Sequence, residues 1–86
     1  MKFDAALVRE QSVTFAVVPV RRGIIGNPQT AAETQAAFAP AFDFVPVILM
    51  EQDHRGVPTY FGRPDIVRFL ANIDFRHLPW RHWTLN

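Results

Sequence analysis

Val13-Thr14-Phe15-Ala16-Val17-Val18 is a β-branched and aromatic run with little polarity on either side. Such a run suits a strand covered on both faces, near the centre of a sheet. Pro19 follows. It has no N–H to give a ladder, so regular pairing should fade there.

Downstream, Arg21-Arg22-Gly23-Ile24-Ile25-Gly26 reads as a loop from its two glycines. Asn27-Pro28 has the form of an N-cap with proline in the first helical position. A competing start lies at Thr30 and Glu33, which have capping-box spacing. From either start a helix runs through Ala31, Ala32, Ala36, Ala37 and Phe38 until Pro40 ends or kinks it. A second strand is expected at Phe44 to Met50. The crossover between the two strands contains a helix, which favours a parallel pair with a right-handed connection.

Gln52-Asp53-His54-Arg55-Gly56 is a five-residue connection with a late glycine, so a third strand, Val57 to Phe61, should return antiparallel to the second. Pro58 places that strand at an edge, or at least turns its own missing N–H position away from a partner. Gly62-Arg63-Pro64-Asp65 opens another helix, and Ile66, Phe69, Leu70 and Ile73 follow at three-to-four spacing. Asn72 is positioned to close it, and Asp74 to cap a final short helical turn. Upstream of the first strand, Phe3 and Leu7 lie four apart with Ala6 beside them, which predicts a short helix over Lys2 to Gln11. The order is then α-β-α-β-β-α and a tail: one α/β domain over residues 1–86, a small sandwich with a mixed three-stranded sheet.

From Val13 to Ile73 this plan resembles a reduced thioredoxin-like fold. The likeness rests on the strand Val13–Val18 feeding a loop and helix, on the step Val45-Pro46-Val47, and on a hairpin ending at Gly62 before an amphipathic helix. In that family the corresponding proline is cis, so the resemblance implies a cis bond at Pro46. Redox members carry a cysteine pair before the first long helix, where this chain reads Arg21-Arg22-Gly23-Ile24-Ile25-Gly26-Asn27. What the resemblance implies is therefore an architecture without the redox chemistry.

Composition narrows the chemistry. There is no cysteine, which excludes disulfides, thiolate nucleophiles and thiolate metal sites. A small domain without cross-links suggests a reducing cytoplasm. The start, Met1-Lys2-Phe3-Asp4, brings an acid at once and does not read as a signal peptide, so the chain is expected to be cytosolic and complete. The longest apolar runs are too short to span a bilayer, and no membrane partner is expected. Nine basic and eight acidic residues leave a formal charge of +1, so no global field draws the chain onto nucleic acid.

Two segments are candidate sites. Arg21, Arg22, Gly23, Gly26 and Asn27 lie between a strand end and a helix start, where free N–H groups and arginines favour an anion, and Pro46 would face them in the thioredoxin-like arrangement. The glycine spacing matches neither a Walker sequence nor a dinucleotide fingerprint, and an ordinary connecting loop with solvated arginines is the simpler reading. The tail, residues 75–86, holds Trp80, Trp83 and Leu85, which are expected to pack on the domain or on a partner subunit. Arginine beside tryptophan can also hold single-stranded nucleic acid, but two arginines and no lysine make a poor patch.

His54, His77 and His82 have no ligand spacing, so neither metal nor any other cofactor is expected. Glu10, Glu33, Glu51, Asp53 and Asp65 form no recognisable acid–base pair. The reading is a non-catalytic interaction or assembly domain, homodimeric or bound to a protein partner. The alternative is a small-molecule or anion-binding protein, conceivably an enzyme, using residues 21–28.

Overall fold

In the computed structural model, which describes residues 1–10 and 12–85, nine elements build one five-stranded mixed sheet with a helix on each face. They are β1 (Lys2–Glu10), β2 (Val13–Pro19), α1 (Pro28–Phe38), a 3-10 turn (Ala39–Phe42), β3 (Val47–Gln52), β4 (Pro58–Phe61), α2 (Pro64–Leu70), a second 3-10 turn (Phe75–His77) and β5 (Trp80–Thr84). The sheet order is β4-β3-β2-β1-β5. β2 is central, as its unbroken apolar run requires, and Phe15, Ala16, Val17 and Val18 are all buried.

β2 and β3 are parallel, with Ala16 opposite Val47 and Pro19 opposite Met50, and α1 bridges them. The β3–β4 hairpin is antiparallel, with Leu49 opposite Phe61. Its turn is shaped by Asp53, whose Oδ1 accepts from the N–H groups of Arg55 (2.8 Å) and Val57 (2.9 Å).

The three-stranded α-β-α-β-β-α plan is overturned at both ends. Lys2–Glu10 is a strand, not a helix, and pairs antiparallel with β2 from Ala6↔Val17 to Glu10↔Val13. Its side chains alternate: Phe3 and Ala5 join the α1 side, while Ala6 and Val8 join the α2 side. The four-residue spacing of Phe3 and Leu7 suits a helical stripe, but it also puts both on one face of a strand. Burial of adjacent alanines on opposite faces needs the strand. The tail also ends in a strand. Trp80–Thr84 pairs with β1, with Phe3 opposite Trp83 and Ala6 opposite Trp80.

The thioredoxin-like sandwich fails with that plan, because β1 and β5 extend the sheet antiparallel beyond β2. Its implied cis bond is absent too: every peptide bond among the described residues is trans, Pro46 included. Pro46 instead ends a tight reversal. Asp43 and Phe44 have left-handed backbone (φ 52° and 62°), so β3 begins at Val47 rather than Phe44. α2 ends at Leu70, short of Ile73, which is exposed.

The two faces carry separate cores. On one, Ala31 of α1 and Phe42 cover Ala5, Ala16, Val18, Val47 and Leu49. Phe42 stands edge-on to Trp83 at 4.8 Å, and Phe3 lies 4.8 Å from Phe38. On the other, Ile66 and Leu70 of α2, with Leu78, cover Ala6, Val8, Phe15, Val17, Ile48 and Met50. Among the described residues no helix is long and apolar enough to cross a membrane.

Candidate functional site

The parallel pair fixes where the expected anion loop falls. Val20 donates to the Met50 carbonyl (2.8 Å), so residues 21–27 leave the carboxyl end of β2 beside the end of β3. Gly23, at φ 97°, turns the chain, and Arg21, Arg22 and Gly26 are exposed. Asn27 is the N-cap of α1: its Oδ1 accepts from Gln29 N–H (3.1 Å) and Thr30 N–H (3.2 Å). This selects Asn27-Pro28 over the Thr30 start. The helix donors that an anion would use are therefore already engaged. The Glu51 carboxylate also accepts from Ile25 N–H (3.3 Å), placing a negative charge against the same loop.

Pro46 is not with them. Its carbonyl accepts from Ala16 N–H (2.9 Å) at the opening of β3, whereas the loop follows the pairing at Pro19 and Met50. Those levels are separated by about 13 Å of strand. The six residues read together from the sequence divide between the two ends of the sheet.

The aromatic tail packs on its own chain. Trp80 Nε1 donates to the Phe75 carbonyl (2.8 Å) on the α2 face, and Trp83 Nε1 to the Ala5 carbonyl (3.2 Å) on the α1 face. Being three apart on a strand, the two indoles cover opposite sides of the sheet. Leu85 and Met1 exchange backbone hydrogen bonds in both directions (2.7 and 2.8 Å). In an antiparallel ladder such pairs alternate, so Trp83 and Arg81 also face β1, and the backbone groups of Thr84, His82 and Trp80 point away from it. Trp80 N–H is taken by the Leu78 carbonyl (2.8 Å). His82 and Thr84 are left with donors and acceptors along the open edge. The His82 imidazole is 94% exposed, and its Nδ1 lies 2.6 Å from Asp4 Oδ1.

A third feature carries no sequence motif. A recess of about 700 Å³ lies on the α2 face between the β3–β4 turn, the end of α2 and the turn at Asp74. Val57, Pro58, Ile73 and Phe75 supply apolar lining, and Gln52, Arg55, Asp74 and Arg76 supply polar groups. Asp74 is the N-cap of the second 3-10 turn, accepting from Arg76 N–H (3.0 Å), and is gripped by the guanidinium through Nε (3.0 Å) and Nη2 (2.8 Å). That bidentate pair holds the Asp74 carboxyl well below the usual carboxylate range. Gln52 Nε2 donates to the Gly56 carbonyl (3.1 Å).

Tyr60 also lines the recess. Its hydroxyl is buried and has no hydrogen-bond partner among the described residues. Burial first, and the Asp74 charge second, push its pKa above the ordinary tyrosine value. Sequence reasoning missed Tyr60, Gln52 and Arg76 as a group because three separate segments contribute them. The turn-forming role of Asp53 and the capping role of Asp74 were the only local hints.

The histidines do not converge. Among the described residues no group of three histidines and carboxylates could hold a metal ion. Compared with models of known families, with curated proteins and with solved structures, the chain matches none.

Proposed function

We propose that this chain is a non-catalytic assembly domain that joins a second copy of itself along the edge of β5. The observation that carries the reading is the contrast between the two sheet edges. β4 is four residues long and opens with Pro58, which offers no N–H; such an edge discourages added strands. β5 has five residues in unbroken register and contains neither proline nor lysine. It is the better template.

The free groups of β5 are self-complementary. In an antiparallel two-fold arrangement, His82 of one copy faces Thr84 of the other, and each such pair exchanges two backbone hydrogen bonds. Two pairs result, and neither uses the occupied Trp80 N–H. The indoles act within each copy, fixing β5 to β1 from both faces so that the edge is held straight before any partner arrives. Preorganisation of this kind reduces the ordering cost of strand addition.

An edge this short buries the area of a weak contact, so a dissociation constant of about 10–100 µM is expected. Size-exclusion chromatography with light scattering over that range should show a monomer–dimer equilibrium. Thr84→Pro removes an outward N–H without touching the β1 ladder. It should leave the circular dichroism spectrum unchanged and return the protein to monomer. A wild-type monomer at about ten times that concentration would reject self-association.

A further inference from the structure

We propose that the recess beside Tyr60 binds a small amphipathic monoanion, a carboxylate carried on an aryl or short alkyl body. This goes beyond the β5 edge and does not depend on it. The recess lies on the α2 side of the β3–β4 end of the sheet, whereas β5 is the opposite edge.

Charge selects the ligand's sign and valence. Asp74 and Arg76 neutralise one another through a bidentate pair. Arg55, exposed in the β3–β4 turn, makes no ion pair among the described residues. The lining therefore carries one uncompensated positive charge, matched by a single negative one. A guanidinium takes a carboxylate through two parallel N–H donors.

The remaining lining describes the ligand's body. Val57, Pro58, Ile73 and Phe75 offer apolar surface on two sides. A volume of about 700 Å³ falls in the usual range for small-molecule sites, which combine such walls with a few directed polar groups. The Tyr60 hydroxyl, covered in this structure, becomes the directed group once a ligand displaces the side chains over it. It is a buried donor with no hydrogen-bond partner among the described residues, and leaving it so costs stability. A carboxylate oxygen is its natural acceptor. The Asp74 carboxylate does not take it: no hydrogen bond joins the two groups, and both Asp74 oxygens are turned to the Arg76 guanidinium and backbone.

Benzoate is a suitable probe, with benzamide as an uncharged control of the same shape and inorganic phosphate as a control without an apolar body. In a titration followed by amide resonances, benzoate should shift Gly56, Val57, Tyr60 and Ile73 with saturation near 1 mM, the order expected of so small a ligand. Benzamide and phosphate should each bind at least about tenfold more weakly, and Arg55→Gln should weaken benzoate by about tenfold. Arg55 is a surface turn residue, so that variant keeps its fold. Three results would overturn the proposal: non-saturating shifts, shifts centred on Arg21 and Arg22, or undiminished benzoate binding by Arg55→Gln. Phosphate binding tighter than benzoate would do so as well.

Discussion

Gly62 is fixed as glycine by its own backbone and by the strand beside it. It ends β4 at φ 156°, where a side chain is strained, and a Cβ built on it would run into Ile48 Cδ1 and lie 3.2 Å from the Val47 carbonyl oxygen. Gly62→Ala should lower stability by about 2–4 kcal/mol, combining backbone strain with overpacking, measurable by urea unfolding. A loss below about 0.5 kcal/mol would mean that the hairpin end relaxes freely. Tyr60→Phe should act in the other direction. Removing an unpaired buried hydroxyl while keeping the ring raises stability by about 1 kcal/mol. A fall in stability would show that the hydroxyl has a partner in solution. At this scale the sequence is readable wherever one side chain answers its own backbone. Asp53 in its turn and Asp74 at its cap act within four residues. Tyr60 is unreadable because its surroundings come from α2 and the Asp74 turn as well as from β4.

Elements show the same division between local and distant causes. The α1 start was legible to within one turn: Asn27 and Pro28 do all of it, but Thr30 and Glu33 offered competing capping chemistry three residues on. Asn27→Ala should cost about 1 kcal/mol, and Asn27→Asp almost nothing, since either Asn or Asp can accept from Gln29 and Thr30 N–H. Thermal melts of the two variants would separate capping from any requirement for a neutral side chain. β1 was illegible for the opposite reason. Its alanines favour a helix intrinsically, and only the flanking layers make a strand of it: Ala5 faces the α1 core and Ala6 the α2 core, both fully buried. The reversal into β2 lacks an Asn-Gly or Asp-Gly pair; Ser12 takes φ 70° instead. β5 was hidden similarly. Trp80 and Trp83 look like a patch in the sequence but separate to opposite faces once the strand forms. The parallel β2–β3 pair survived because a long apolar run, a helix-bearing crossover and a hairpin each restricted it independently.

For the whole molecule, acid and alkali should each lower stability through a different group. The Arg63 guanidinium holds Asp65 below its ordinary value, and Arg76 does the same for Asp74. A carboxyl whose folded pKa is depressed contributes stability that is present above its unfolded pKa and lost as pH falls through the folded one. The unfolded value is 3.8, so this loss begins below about pH 4. Both pairs are exposed at the surface, and salt should shrink the effect. Tyr60 works at the other end. Its folded pKa is raised above 10.0, so its contribution is complete below that value and declines as pH rises through the folded pKa. Melting temperatures should therefore form a plateau with an acid limb and an alkaline limb. Asp74→Asn keeps a capping acceptor for Arg76 N–H while removing one titrating group, so it should flatten the acid limb and, because the Asp74 charge supplies the smaller part of the Tyr60 shift, soften the alkaline one only slightly. Tyr60→Phe should flatten the alkaline limb alone. If either variant altered both limbs equally, the two ends of the profile would not be set by these groups, and the charge assignment made for the recess would fall with them.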